Sequence, residues 1–421
     1  MLKPSRIVLA LLCAMYFITY IDRVNIGTAA TVIQGELGLS NTQLGLVFSG
    51  FAYPYLLFQV FGGWVGDHFG ARRTLVWCGV IWAVATILTG FVGSLTTLFL
   101  ARLLLGFGEG ATFPTATRAM QDWTPSALRG FAQGLTHAFA RVGNAATPPL
   151  VAALMTAVTW RGSFVALGLL SLVWVAVWGW YFRDEPKAHP AITPQELARL
   201  PQRQRQAPRT PIPWGRLVQR MAPVTLTYFC YGWSLWLYLN WLPSFFKNNY
   251  HLDIKDSAIF SMGVFLAGVF GDTLGGLVSD RILRRTGKLR LARLGVTMVG
   301  FAGALLSLCP ILFVHDLNIV ALCLSGGFFF AELVIGPMWA VPMDIAPKYA
   351  GTASGLMNVG SAFAAIVSPL VAGWVIDLTG NWYLPFLLSM GLLFLGFVSA
   401  LLMHPERPFE DDDPGLAVVT A

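Results

Sequence analysis

The first hydrophobic run of the chain constrains its fold more than any other stretch. It extends from Ile7 to Ala30 and contains Asp22 and Arg23 well inside it. A membrane helix needs about 20 apolar residues, so this run is long enough to cross a bilayer. Because a charge near the bilayer centre costs roughly 3 kcal/mol, such a pair persists only where it faces a polar interior and has partners. Asp22 and Arg23 are therefore candidate functional residues.

The composition indicates a protein with many membrane spans. Of the 421 residues, 56% are hydrophobic and only 12% are charged, whereas a soluble domain is about 25% charged. Only helices or closed barrels can span lipid, and these apolar runs are too long for barrel strands. We therefore predict an all-α membrane protein with twelve transmembrane helices in two pseudo-symmetric six-helix bundles. The apolar segments lie near residues 6–30, 41–66, 74–93, 95–117, 130–157, 162–182, 222–246, 257–281, 290–314, 317–343, 351–377 and 383–403.

The longest polar break separates the first six segments from the last six. Residues 183–221 contain seven prolines and eight Lys or Arg residues, a composition typical of a connecting segment. We predict an N-terminal six-helix bundle at 1–182 and a cytoplasmic linker at 183–221. A C-terminal six-helix bundle at 222–405 and a cytoplasmic acidic tail at 406–421 would follow.

The distribution of Lys and Arg predicts the orientation. If the N-terminus is cytoplasmic, three of the 28 Lys and Arg residues lie within the membrane, and Arg161, Lys247 and Lys255 lie outside. The other 22 are then cytoplasmic. Because cytoplasmic loops of membrane proteins carry an excess of positive residues, this asymmetry favours a multi-pass protein of the inner or plasma membrane with both termini in the cytoplasm.

The chain lacks the sequence signatures of catalysis and of cofactor binding. Its five cysteines lie in apolar runs without a C-x-x-C pair, so they resemble core residues rather than ligands or disulfides. The sequence has no P-loop, H-E-x-x-H or G-x-S-x-G motif. We predict no enzyme activity, no cofactor and no metal. The net charge of +7 comes from basic residues that flank the spans, so membrane topology explains it and we expect no nucleic-acid partner. We expect a monomer in the lipid bilayer.

A loop motif occurs once in each half of the chain. Each copy has a glycine, an aspartate four residues later and then a basic turn. The same motif in the same place after six spans favours internal duplication. We expect the charged residues to latch neighbouring helices at the cytoplasmic side. The first copy contains Gly63, Asp67, Arg72 and Arg73, and the second contains Gly276, Asp280 and Arg281.

With two six-helix halves, a basic linker and this loop motif, nearly the whole chain resembles the major facilitator superfamily. It also resembles the anion:cation symporter family, which includes sugar-acid and aromatic-acid permeases and is related to vesicular glutamate and sialic acid carriers. The narrower resemblance is carried by Tyr20, Asp22, Arg23 and Asn25 in helix 1, by Arg102, Glu109 and Pro114 in helix 4, and by Asp344, Pro347, Gly351, Gly355, Asn358 and Gly360.

The resemblance implies roles for the charged residues of helices 1 and 4. Arg23 and Arg102 would serve the anion or its gate, and Asp22 and Glu109 would carry protons. Arg102 and Glu109 are two helical turns apart, about 10.5 Å, so they can line one cavity from the same face. Two other interpretations remain open. Arg102 can lie at the membrane interface with Glu109 capped, and Asp22 can neutralise Arg23 within one helix.

Helix 5 departs from the family pattern through His137 and Arg141. They are four residues apart, and therefore on one helical face. A third arginine within the membrane suggests a substrate with a second anionic group, or a permanent ion pair with Glu109 or Asp22. His137 can shuttle protons or serve as a hydrogen-bond donor.

Aromatic and amide side chains complete the candidate substrate site. Tyr55 and Gln59 share a face of helix 2, and Tyr231 lies among the aromatic residues of helix 7. Tyrosines can close on a ligand while donating hydrogen bonds. Asp272 stands near a glycine pair and fits helix packing. The polar candidates of the second half are Asp272, Glu332, Asn358 and Ser361, of which Asn358 fits a substrate hydrogen bond best.

These observations predict a secondary transporter that imports a small organic anion with protons, by alternating access of its two halves. The alternative is a drug:proton antiporter with the same fold. Efflux carriers of that kind have a glycine directly before a proline in helix 5, which the segment from Gly143 to Pro149 lacks. Three buried arginines would also repel cationic drugs.

Overall fold

The computed structural model describes residues 3–125, 128–201 and 212–409. Within these ranges the chain is α-helical, with single turns of 3-10 or π-helix and no β-strand. The side chains of a few residues, Gln59 and Asp67 among them, lie outside the description. The α-helices are α1 (Pro4–Leu37), α2 (Asn41–Gly50), α3 (Ala52–Phe69), α4 (Ala71–Thr89), α5 (Leu95–Gly110), α6 (Thr112–Trp123), α7 (Arg129–Tyr181), α8 (Pro194–Leu197), α9 (Trp214–Tyr250), α10 (Ile254–Thr286), α11 (Val296–Leu308), α12 (Leu317–Leu333), α13 (Ile335–Ile345), α14 (Ala350–Thr379) and α15 (Leu384–Ala400).

Each of the twelve apolar segments coincides with helical structure, although helices and segments do not correspond one to one. Three segments consist of two helices each: α2 with α3, α5 with α6, and α12 with α13. Helix α7 covers two segments. Its backbone leaves helical geometry at Val158 and Thr159, and this break separates the fifth segment from the sixth. Seven helical stretches of the described residues are long and apolar enough to cross a membrane on their own.

Prolines explain the three divided segments. A proline has no N–H group and cannot bond to the carbonyl four residues before it. Pro54 therefore leaves the carbonyl of Gly50 without its helical donor, and α2 ends at Gly50. Pro114 and Pro337 have the same relation to the last residues of α5 and α12. All three interruptions fall near the middle of their segments.

The two halves pack together along four pairs of helices. Helix α1 contacts α9, α2 and α3 both contact α14, and α7 contacts α10. Glycines allow the closest approaches: a Cβ atom on Gly27 would lie 2.8 Å from the carbonyl oxygen of Leu239, and one on Gly45 would collide with that of Pro369. Small residues at such crossings let helix backbones meet.

Polar contacts fasten the halves at one end of the bundle. We call the end where α1 begins and α15 finishes the terminal side, and the other end the distal side. On the distal side the carboxylate of Asp377 accepts hydrogen bonds from the backbone N–H groups of Asn41 (3.0 Å) and Thr42 (2.7 Å). Nearby, Lys247 Nζ donates to the hydroxyl of Thr31 at 2.9 Å. The distal ends of the two halves are therefore closed against each other.

We expect Gly45→Ala to hold the distal ends apart. The added Cβ would meet the backbone of Pro369 and Leu370, which cannot rotate away. Overpacking costs about 1–3 kcal/mol, and about 1.4 kcal/mol changes an equilibrium tenfold. The population with separated distal ends should therefore rise at least fivefold.

Pulsed electron spin resonance can measure this population. Spin labels at Thr96 and Asn318, exposed on the distal side of the two halves, report the separation in a background without the native cysteines. Gly35→Ala is the matched control, because a Cβ there meets nothing within 4 Å. An unchanged distance distribution in Gly45→Ala would contradict the prediction.

Candidate functional site

A buried ion pair joins α1 to α5 at the centre of the N-terminal half. Arg23 Nε donates to Glu109 Oε2 at 2.7 Å, and the two side chains are 4% and 0% exposed. Arg23 therefore pairs with the carboxylate of another helix rather than with its neighbour Asp22. The proline interruption after Gly110 places Glu109 at the end of α5.

Four aromatic rings surround the Arg23 guanidinium. Their centroids lie 4.7–5.0 Å from its central carbon. The quadrupole of an aromatic ring attracts a cation over its face, more strongly where water is excluded. Arg23 Nη2 and Glu109 Oε1 have no hydrogen-bond partner among the described residues. One donor and one acceptor of the pair are thus free to meet a ligand. The rings belong to Tyr20, Phe51, Tyr55 and Phe113.

Asp22 and Arg102 are buried beside this pair. Ser171 Oγ donates to Asp22 Oδ2 at 3.2 Å, which ties the carboxylate to the sixth segment. Arg102 Nη1 donates to the backbone oxygen of Asp22 at 3.3 Å, and Arg102 Nε has no hydrogen-bond partner among the described residues. Arg102 is 3% exposed, so it lies inside the bundle and not at its end.

Arg141 forms a second buried cluster that connects the two halves. Its Nε lies 3.1 Å from Asp272 Oδ2 of α10, with which it forms a hydrogen bond, and 3.1 Å from Glu332 Oε2 of α12. The second contact has ion-pair distance without hydrogen-bond alignment. Tyr231 donates its hydroxyl hydrogen to Glu332 Oε1 at 3.1 Å. We call Arg141, Asp272, Glu332 and Tyr231 the Arg141 cluster.

The residues around this cluster are mostly aromatic. Tyr231 stacks on Tyr228, with ring centroids 5.1 Å apart. The hydroxyl of Tyr228 accepts a hydrogen bond from Trp339 Nε1 at 2.9 Å. His137 lies one turn before Arg141 and packs against Trp339, while its Nε2 atom is 3.1 Å from the amide nitrogen of Gln133.

Glu109 and Glu332 hold equivalent positions in the two halves. Each is the second-last residue of a helix that a proline ends, and each precedes that proline by five residues. The two glutamates lie in the fourth and the tenth segments, which internal duplication would relate. Each also faces an arginine, Arg23 for Glu109 and Arg141 for Glu332.

The remaining predicted substrate residues are placed as follows. Tyr55 belongs to the aromatic rings around Arg23. Asn358 is half-buried in α14, one turn from Ser361, whose hydroxyl accepts a hydrogen bond from Trp236. Gln59 lies in α3, and its side chain is outside the described part.

The loop-motif residues lie on the terminal side, away from both clusters. Arg72 forms a hydrogen bond with the end of the sixth segment, since its Nε donates to the backbone oxygen of Gly179 at 2.8 Å. Asp280 lies 3.2 Å from Arg293 Nη1, and Arg293 also pairs with Asp344 at 2.9 Å. Arg73 and Arg281 are exposed, and the side chain of Asp67 is outside the described part.

Sequence reasoning missed the partners of Arg141 and most of the rings around Arg23. Asp272 was predicted to serve helix packing, whereas it contacts Arg141 from the opposite half. The available signal was a carboxylate in the middle of an apolar segment, which requires a buried partner. Phe51 and Phe113 gave no signal, since phenylalanines are common in every segment. No group of three or more His, Cys, Asp or Glu in the described ranges is arranged to hold a metal ion.

Comparison with known families identifies the fold. Residues 12–369 match the model of the Major Facilitator Superfamily. The chain belongs to this superfamily. The predicted fold class, twelve transmembrane helices in two six-helix bundles, is confirmed by this match. The prediction that the protein is a membrane transporter and not an enzyme is confirmed as well.

Three similar proteins are named as carriers of organic anions. A probable sulfoacetate transporter of Cupriavidus necator is 50% identical over 415 residues, which cover 98% of this chain and 96% of that protein. The hexuronate transporter of Bacillus subtilis is 27% identical over 93% of this chain and 92% of its own. A probable galactarate/D-glucarate transporter of Escherichia coli is 28% identical over 86% of this chain and 85% of its own. The predicted resemblance to anion carriers of the superfamily is confirmed.

A solved structure shares the fold over the whole chain. It is a bacterial homologue of the human lysosomal transporter Spinster, in an inward-facing and unoccupied conformation. The alignment has a TM-score of 0.78 and covers 98% of this chain and 100% of the homologue. At 16% sequence identity, the likeness concerns the fold alone.

We expect Glu109→Ala to destabilise the protein, because it leaves Arg23 buried without its counter-ion. Removing one partner of a buried pair costs about 3–5 kcal/mol. The midpoint of thermal unfolding in detergent should fall by several degrees, and the double variant Arg23→Met/Glu109→Ala should recover part of the loss. Glu185→Ala, at an exposed surface pair, serves as the control. Equal unfolding midpoints for wild type and Glu109→Ala would show that the pair does not stabilise the bundle.

Proposed function

We propose that this transporter imports a small organic anion together with protons, by alternating access of its two halves. In the proposed orientation the terminal side faces the cytoplasm and the distal side faces the cell exterior. The excess of Lys and Arg on the terminal side supports this orientation, because cytoplasmic loops carry most of the positive charge. The membrane would be the inner or plasma membrane.

The proposal rests on the position and the surroundings of the Arg23 guanidinium. It is a fixed cation in the middle of the bundle, with four aromatic rings within 5.0 Å of its central carbon. One of its nitrogens has no hydrogen-bond partner among the residues that the structure describes. A planar guanidinium fits carboxylates and related oxyanions with two parallel hydrogen bonds. Arg102 adds a second positive charge nearby, because its central carbon lies 5.5 Å from the ring centroid of Phe51, a ring that Arg23 also contacts. This half of the bundle would therefore attract an anion.

Competition for Arg23 supplies a physical route to proton coupling. Glu109 already occupies Arg23 Nε, so an arriving anion and an ionised Glu109 would place two negative charges on one guanidinium. A proton on Glu109 removes one of these charges and releases Arg23 for the anion. The carboxylate of Asp22 is buried, and no cationic side chain of the described residues donates a hydrogen bond to it, so it is a second candidate carrier of a proton.

The similar proteins narrow the substrates to test. Sulfoacetate, hexuronate and galactarate or D-glucarate are the named substrates of these proteins, and each contains a carboxylate. Because the sulfoacetate carrier is 50% identical over nearly the whole chain, we propose sulfoacetate as the first candidate. Sugar acids are the next class.

Thermal stabilisation of the purified protein tests the substrate class. A ligand that binds only the folded state raises its stability by RT ln(1 + [L]/Kd), about 2.7 kcal/mol at a hundredfold excess over Kd. Sulfoacetate should raise the unfolding midpoint, more at pH 6 than at pH 8, and Arg23→Ala should abolish the rise. Arg199→Ala, at an exposed linker position, should retain it. Stabilisation by hydrophobic cations instead of anions would favour the drug:proton antiporter.

Glu109→Gln separates proton coupling from substrate binding. The amide still accepts a hydrogen bond from Arg23 but cannot release a proton. In proteoliposomes this variant should lose uphill uptake driven by a proton gradient by tenfold or more, while exchange of internal for external substrate continues at a similar rate. Glu185→Gln controls for the loss of a surface carboxylate. If uphill uptake persists, Glu109 is not the coupling carboxylate.

A further inference from the structure

The Arg141 cluster holds more negative than positive charge. One guanidinium serves the carboxylates of Asp272 and Glu332, each at 3.1 Å. Glu332 is completely buried, whereas Asp272 is 16% exposed. The other titratable groups of the described residues that pack directly against this cluster carry no second permanent positive charge. They are Tyr20 of α1, His137 of α7, and Tyr228 and Tyr231 of α9.

Arg141 is also close enough to Arg23 for one small molecule to reach both. The central carbon of Arg23 lies 4.9 Å from the ring centroid of Tyr20, and that of Arg141 lies 5.9 Å from the same centroid. The two guanidinium carbons are therefore at most about 11 Å apart. Arg141 Nη1, like Arg23 Nη2, is buried without a hydrogen-bond partner among the described residues.

A two-carbon dianion is long enough to reach from one guanidinium to the other. A guanidinium carbon and a bound oxyanion centre lie roughly 4 Å apart, given hydrogen bonds of about 2.8 Å. In a two-carbon dianion such as sulfoacetate, both anionic centres are bonded to one carbon, so they lie roughly 2.7 Å apart, given bonds of about 1.5 Å or slightly more. The span from one arginine to the other is then about 11 Å, so a molecule with two anionic heads can bridge them.

We propose that Asp272 and Glu332 occupy the place of a second anionic head, and that Glu332 takes up a proton when a dianionic substrate displaces it from Arg141. The inference rests on the proposed function and adds a substrate class, two-headed anions, and a second proton site in the C-terminal half. Once the substrate holds the guanidinium, Glu332 loses its counter-ion while still buried. Protonation then removes a charge that the membrane interior disfavours.

The position of Glu332 supports this role independently. It corresponds to Glu109 in the other half, at the end of a proline-interrupted helix and facing an arginine. The hydroxyl of Tyr231 remains on Glu332 Oε1, so a protonated carboxyl keeps a partner for its carbonyl oxygen. Arg141 also joins α7 to α10 and α12. Its release from both carboxylates removes an ionic contact between the halves.

Calorimetry of the unaltered protein tests the proton count. The enthalpy of binding is measured in two cationic buffers of different ionisation enthalpy, since sulfonate and phosphate buffers would compete for the site. The protein should take up one more proton when it binds sulfoacetate than when it binds the monoanion methanesulfonate. Equal proton uptake on binding of the two ligands would overturn the inference. Binding of neither anion would overturn the proposed function as well.

Variants of the Arg141 cluster test the assignment to these residues. Glu332→Gln should lower the proton uptake on sulfoacetate binding by one and leave that of methanesulfonate unchanged. Arg141→Gln should weaken sulfoacetate binding at least tenfold while methanesulfonate binding stays within twofold. Asp256→Asn, at an exposed position of α10, should change the binding of neither ligand. If Arg141→Gln weakens the binding of both anions equally, or if Glu332→Gln keeps the wild-type proton uptake, the second anionic head does not bind at the Arg141 cluster.

Discussion

The ion pair of Arg23 with Glu109 is the constraint on which the central architecture depends. Neither charge can face lipid, and neither can stay buried alone without a large desolvation cost. Their contact at 2.7 Å therefore fixes how α1 is rotated against α5, and it draws four aromatic rings around the guanidinium. The two charges compensate each other, yet one donor and one acceptor of the pair have no hydrogen-bond partner in the described part of the chain. Stability and readiness to bind coexist because a single hydrogen bond joins Arg23 to Glu109, which leaves a second nitrogen and a second oxygen for other partners.

The architecture was predictable because it depends on local properties of the sequence. The length and apolarity of each segment decide that it becomes a membrane helix, and the twelve segments coincide with the helical structure. The exact helix ends depend on single hydrogen bonds and were harder to predict from the sequence. Pro54, Pro114 and Pro337 each end a helix, whereas Pro243 and Pro369 lie inside continuous helices. Sequence alone does not distinguish these cases, because neighbouring helices decide whether the interrupted bond is tolerated.

The site was predictable in its residues and much less in its pairings. Charged residues in the middle of apolar segments identified Arg23, Arg102, Glu109 and Arg141, since few other positions there carry a charge. Their partners depend on how twelve helices are rotated and packed, which is a property of the whole bundle. Arg141 therefore contacts Asp272 and Glu332 of the second half, whereas helix-by-helix reasoning offered Glu109 or Asp22. The proposed roles of these residues in binding and coupling remain predictions.

The turn at Thr159 has a consequence for the surface of the molecule. The fifth and sixth segments join there without a loop, through two residues of α7 that leave helical geometry. The other connections on the same side are also short, at residues 38–40, 90–94, 251–253, 313–316 and 380–383. Proteases cut, and epitope tags are tolerated, mainly at exposed loop tips. This face of the transporter therefore offers few places for a protease, an antibody or an inserted tag.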